Sequence, residues 1–113
     1  MNTTRILAGV LGLAVAGHCG AADDARVQRG QEVFQYWCAA CHGEGPGKPG
    51  TFALQAKYKD AKPALLEKRK DLTPALTRLF VRNGVSVMAP FRKTEIGDVD
   101  LDALAAYLAR RNR

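Results

Sequence analysis

With 113 residues the chain has room for one small domain, and a formal net charge of +6 makes it basic. Aromatic residues are only 7 % of it, so the positive charge lacks the interleaved stacking side chains that would point to nucleic acid. No apolar run approaches the ~20 residues that cross a bilayer as a helix.

The N-terminus reads as a secretory signal. Arg5 supplies the positive region, residues 6–16 form an apolar run, and Gly20-Ala21-Ala22 offers small residues for cleavage before Asp23-Asp24. Ala14-Val15-Ala16 is a rival cleavage site. A lipoprotein box at Cys19 is disfavoured by His18, where a small residue belongs, and an uncleaved anchor by the shortness of the run. The expected organisation is a signal over 1–22 and a domain over 23–113, exported to a bacterial periplasm. Such a domain is small for a stable core without a staple or a cofactor. One bridge between Cys38 and Cys41 closes too short a loop to constrain the unfolded chain much.

Apolar or small residues at Val27, Gly30, Val33, Phe34, Trp37 and Cys41 have helical spacing, which predicts a helix over 25–41. Residues 43–50, with four glycines and two prolines, read as a loop. A short helix is expected over 61–70, opening at Pro63. A firmer one follows Thr73, with Pro74 at its first position and Asn83-Gly84 as its stop. Residues 85–94 form a loop carrying Met88 and Pro90. A last helix over 98–110 has Val99, Leu101, Leu104, Ala105 and Leu108 as its expected buried stripe. Asp98, Asp100 and Asp102 suit its positive end, and Arg110 and Arg111 its negative end. With no strand pattern and no repeat, the fold class is all-α: three to five helices and long loops.

Cys38-Ala39-Ala40-Cys41-His42 is the attachment signal for a covalent c-type haem. Two thiols at this spacing can add to the two vinyl groups of the macrocycle, and the adjoining imidazole then falls under the iron. A thioredoxin-like pair needs a βαβ context, and zinc needs four ligands where the domain offers Cys38, Cys41 and His42 before carboxylates. The expected cofactor is therefore one haem c, held by Cys38 and Cys41, with His42 as proximal axial ligand. Either Pro46 or Pro49 is expected to offer a backbone carbonyl to the second ring N–H of His42.

Thioether and imidazole are the usual sixth ligands in electron carriers, and after processing Met88 is the only methionine and His42 the only histidine. Met88 lies in a loop between two helices and is followed by Ala89-Pro90. It is the expected distal ligand. Ligation on both faces leaves no open position for substrate, and a thioether raises the potential, so single-electron transfer is expected rather than bond chemistry.

This layout resembles the class I cytochromes c over roughly residues 26–108, a resemblance that implies their small fold around one haem. It also implies that the first and last helices cross, with Gly30 and Phe34 against Leu104 and Tyr107. More narrowly, Val33-Phe34-Gln35-Tyr36-Trp37-Cys38 through Gly43, then Gly45-Pro46-Gly47-Lys48-Pro49-Gly50-Thr51, resemble the cytochrome subunit of the 4-alkylphenol flavocytochromes. Asp71-Leu72-Thr73-Pro74 and the run from Phe80-Val81-Arg82-Asn83-Gly84 through Met88-Ala89-Pro90-Phe91 to Ile96 do so as well. That group includes p-cresol methylhydroxylase, 4-ethylphenol methylenehydroxylase and eugenol hydroxylase. The likeness implies a flavoprotein partner carrying FAD, in a heterotetramer of two flavoprotein and two cytochrome subunits. It also implies a soluble acceptor such as azurin or another cytochrome. On this reading the chain is not an enzyme by itself, contacts no nucleic acid, and once processed no membrane.

The basic run Lys57, Lys59, Lys62, Lys68, Arg69 and Lys70 is either a solvated face or a docking surface, with Ala89 and Phe91 as candidate apolar contacts. Two alternatives stand beside the subunit reading. One is a free periplasmic shuttle between respiratory complexes or another dehydrogenase, and the other is a haem enzyme or gas sensor from which Met88 is easily displaced.

Overall fold

The computed structural model describes residues 19–110. Arg5, the apolar run of the signal and Arg111 lie outside the described residues. Among the described residues five α-helices follow in order: α1 (Cys19–Trp37), α2 (Ala39–His42), α3 (Pro49–Tyr58), α4 (Pro74–Asn83) and α5 (Asp98–Ala109), with one 3-10 turn at Leu66–Lys68. No strand occurs among the described residues, only an isolated antiparallel bridge between Val85 and Met88. The all-α class is the one expected.

The core is where α1 crosses α5. Gly30 on α1 faces Ala103 and Tyr107, so closely that a Cβ there would run into the Ala103 carbonyl. Phe34, fully buried, lies one turn further along α1 with its ring 5.9 Å from that of Tyr107. Val33, Leu72, Val81, Ile96, Leu101, Leu104 and Leu108 complete the cluster. Salt links hold the outer edges: Arg29 reaches both carboxylate oxygens of Asp100 at 2.8 and 3.0 Å, and Arg78 reaches Asp102 at 2.7 Å.

Local chemistry explains the element ends. The Thr73 hydroxyl accepts from the Leu76 amide at 3.2 Å and Pro74 occupies the first turn of α4, as its sequence implies. Gly84 ends α4 at φ 69°, a left-handed value that glycine adopts without penalty. The helix predicted over 25–41 breaks at Cys38 into α1 and α2, and α1 starts earlier, at Cys19. An Arg26–Asp23 pair at 3.1 Å laces that added turn.

Three expectations need correction. Val99 is 81 % exposed, because it sits two residues from Leu101 and so about 200° around the helix from the buried stripe. The helix expected over 61–70 is only the 3-10 turn. Arg69 there is extended, at φ −73° and ψ 148°, and its guanidinium clasps Asp71 two residues on at 2.8 and 2.6 Å. Residues i and i+2 do not face each other on a helix, so this clasp and a helix exclude one another. Finally, α3 occupies 49–58, starting inside the segment read as a loop, with Pro49 in its first turn.

Candidate functional site

The residues singled out for attachment sit where α1 gives way to α2. The Cys38 amide still bonds the Phe34 carbonyl at 2.9 Å, and the Cys38 carbonyl then accepts from both Cys41 (3.1 Å) and His42 (2.8 Å). This tight turn fixes both thiols and the imidazole on one short element. Cys38 and Cys41 are free thiols, the first half-buried and the second exposed. Burial, with the neighbouring Cys41, pushes the Cys38 thiol up to about 12. A redox-active cysteine pair needs the opposite shift, so thioredoxin-like chemistry finds no support in this environment.

His42 is half-buried, and burial lowers its pKa, favouring the neutral imidazole that a metal requires. Its ring edge rests on Gly50, where a Cβ would lie 2.6 Å from Cε1 and 2.8 Å from Nδ1. Nδ1 is buried without a hydrogen-bond partner. Neither Pro46 nor Pro49 therefore supplies the expected acceptor. Pro49 opens α3, where first-turn carbonyls point along the helix axis toward its own later amides. Pro46 is exposed, between two glycines of positive φ. The loop after the motif is instead tied by the Thr51 hydroxyl, which donates to the Gly43 carbonyl at 2.9 Å.

Met88 lies in a tight excursion that leaves α4 and returns to it. Val85 and Met88 exchange two backbone hydrogen bonds of 3.0 Å, and the Phe91 amide bonds back to the Val81 carbonyl at 2.8 Å. Gly84 closes against this turn: a Cβ on it would stand 2.5 Å from the Met88 carbonyl oxygen. Phe91 packs edge-on against Trp37, ring centroids 5.8 Å apart, and Trp37 directly precedes Cys38. Through this aromatic pair the methionine loop and the cysteine–histidine segment are held to one another.

The donor set fits a haem. A half-buried neutral imidazole, two free thiols beside it and a half-buried thioether on a separately pinned turn are the groups such a cofactor takes up. Large apolar side chains near them also stay exposed, among them Phe52 on α3 (77 %) and Val87 beside Met88 (95 %). By contrast, no three residues of His, Cys, Asp or Glu are grouped to hold a metal ion among the described residues, as zinc would need. Surface hollows of about 310 and 360 Å³ lie at Arg26 and Arg78 and at Thr51 and Lys68, and the motif residues line neither.

Two parts of the expected docking surface change character. Phe91 is half-buried against Trp37 rather than free for a partner. Within the basic run, Arg69 is 5 % exposed and paired with Asp71, which Lys62 also reaches, and Lys68 stands 3.5 Å from Glu44. Lys57, Lys59 and Lys70 remain exposed and make no ion pair among the described residues.

Sequence reasoning missed Gly50, which gives the His42 ring its space, and Arg82, which ties the methionine loop to α5. No helix among the described residues is long and apolar enough to cross a membrane. Neither a curated protein nor a solved structure gives a significant match to the chain. A family model does: the one described as cytochrome c oxidase, cbb3-type, subunit III matches residues 25–108, from within α1 to the last turn of α5. The chain thus belongs to this family of c-type cytochrome domains, and its fold is that of a small cytochrome c serving haem-based electron transfer.

Proposed function

We propose that this is a single-haem electron carrier, with the haem bound through Cys38 and Cys41 and ligated by His42 and Met88. The observation that carries the reading is the Trp37–Phe91 contact, which links the segment bearing the thiols and the imidazole to the loop that bears the thioether. Bound haem supplies a one-electron couple. The chain's own contribution would be to present the His42 imidazole and the Met88 thioether from hydrogen-bonded turns, so that little rearranges on electron gain or loss and no ligand position is left to substrate.

The donor in this reading is the FAD of a 4-alkylphenol-oxidising flavoprotein, with this chain as its cytochrome subunit in the periplasm. The sequence likeness around Cys38 and Met88 supports it. Electrons then pass one at a time to a soluble acceptor such as azurin or another cytochrome. Lys57, Lys59 and Lys70 offer the positive rim, which would mainly set the rate of encounter with an acidic partner. A second reading, membership of a terminal oxidase, has the description of the matching family behind it.

Affinity purification from the native host separates them. The flavocytochrome reading expects a tight partner with flavin fluorescence in the eluate. An oxidase in the eluate supports the second reading, and a lone monomer at every salt concentration supports a free shuttle. Ligation is tested separately: oxidised protein should show the weak far-red absorption band of a methionine–Fe(III) bond, and Met88→Ala should abolish it. A wild-type protein without that band contradicts the assignment of Met88.

A further inference from the structure

Arg82 is the penultimate residue of α4, and its guanidinium works in three directions. Nη1 donates to the Phe91 carbonyl at 3.1 Å and to the Ile96 carbonyl at 2.8 Å, while Nη2 donates to Asp98 Oδ1 at 2.8 Å. Lys93 reaches the other oxygen of the same carboxylate at 2.8 Å. Phe91 is also the residue whose amide returns to Val81, one position before Arg82. The excursion through Met88 is therefore closed at its base by a backbone bond and, beside it, by a charged fork reaching the start of α5.

Hydrogen bonds from a charged donor are the stronger kind, and a planar fork loses less freedom in making several at once than a flexible ammonium does. Among the described residues no other arginine bonds the Phe91 or Ile96 carbonyl. Arg78, one turn earlier on α4, pairs with Asp102 on α5 and has no hydrogen bond to the methionine loop among the described residues.

We infer that Arg82 is a positioning residue for Met88: by clamping the returning strand of the loop to α4 and α5, it holds the thioether in place against competing ligands. This rests on the ligation of haem by Met88 proposed above. The geometry gives the direction of the effect. Without the guanidinium, the Phe91 and Ile96 carbonyls lose a shared donor, and the loop's closure falls to the Phe91–Val81 bond, the Trp37 contact and the exposed Lys93–Asp98 pair.

The test is a titration of the oxidised holoprotein with imidazole, which displaces a thioether and removes the far-red methionine band. Arg82→Met should bind imidazole about tenfold more tightly than wild type, the equivalent of one charge-assisted hydrogen bond. Arg82→Lys should fall between, and Arg78→Met should match wild type although it too loses a link to α5. Far-UV dichroism and covalently retained haem establish that each variant is folded; if Arg82→Met fails to fold, Arg82→Lys and Arg82→Gln carry the comparison. An unchanged affinity in the Arg82 variants, or an equal shift in Arg78→Met, overturns the inference. A wild type lacking the far-red band, with Met88→Ala spectrally unchanged, shows instead that the ligation itself is wrong.

Discussion

At position 30 a single added methyl group has nowhere to go. The obstacle is the Ala103 carbonyl and the Tyr107 Cβ, both anchored in α5, so relief requires the helices to part. Gly30→Ala should lose about 3 kcal/mol or more of stability, read as a lower melting temperature, with larger residues worse. A melting point within a degree or two of wild type would mean that the crossing is looser than drawn. Gly50 differs in kind. A methyl there presses on the His42 ring, so Gly50→Ala should disturb the haem spectrum more than the melting temperature. Of these two glycines only the first was legible from sequence, as a small residue on a helical stripe. The contact of Gly50 with His42 depends on where α3 begins, and Pro49-Gly50 read as loop punctuation concealed that. The attachment triad and Met88 stood out for a different reason: they are scarce residue types whose spacing carries chemistry independent of the fold.

Among the elements, the extended segment between α3 and α4 is held by charge. Arg69 is buried and its guanidinium holds the Asp71 carboxyl far below the usual carboxylate range, with Lys62 adding to the effect. A carboxylate whose folded pKa is depressed contributes stability above its unfolded pKa, about 3.9, and loses it as pH falls below that value. The melting temperature should therefore drop below about pH 4. Asp71→Asn should lower it at neutral pH, by stranding a buried guanidinium, while flattening the acid drop. Identical acid profiles for the two proteins would show that Asp71 contributes nothing to this link. The same clasp explains why local propensity failed over 61–70. The sequence offers a helix start at Pro63, but Arg69 and Asp71 meet only on an extended backbone, and the Tyr107 hydroxyl donates to Glu67 from α5. Tertiary partners decided the backbone there. In α4 and α5 cap, stop and periodicity agreed with the packing, and those helices were readable.

On the scale of the whole molecule, a domain this small is organised around the crossing of its first and last helices and, on the proposed reading, a haem. The crossing of α1 and α5 makes the frame; α2, α3 and the Met88 loop hang from it with much of their apolar surface uncovered. The fold should accordingly be most stable with the haem in place, and a variant lacking both Cys38 and Cys41 thiols should melt lower and retain less helix. The basic surface belongs to this scale too. Reversing charge at Lys57, Lys59 and Lys70 should slow association with an acidic electron partner and weaken its salt dependence, leaving the far-red band intact. An association rate that does not respond would place the docking face elsewhere. Covalent attachment of a haem through Cys38 and Cys41, as proposed, is read from the intact mass of the purified protein after extraction with acidified organic solvent. The chain should be heavier by one haem, keep its colour, and lose that added mass when both cysteines are replaced by alanine. Colourless protein, or pigment released into the solvent, would contradict it.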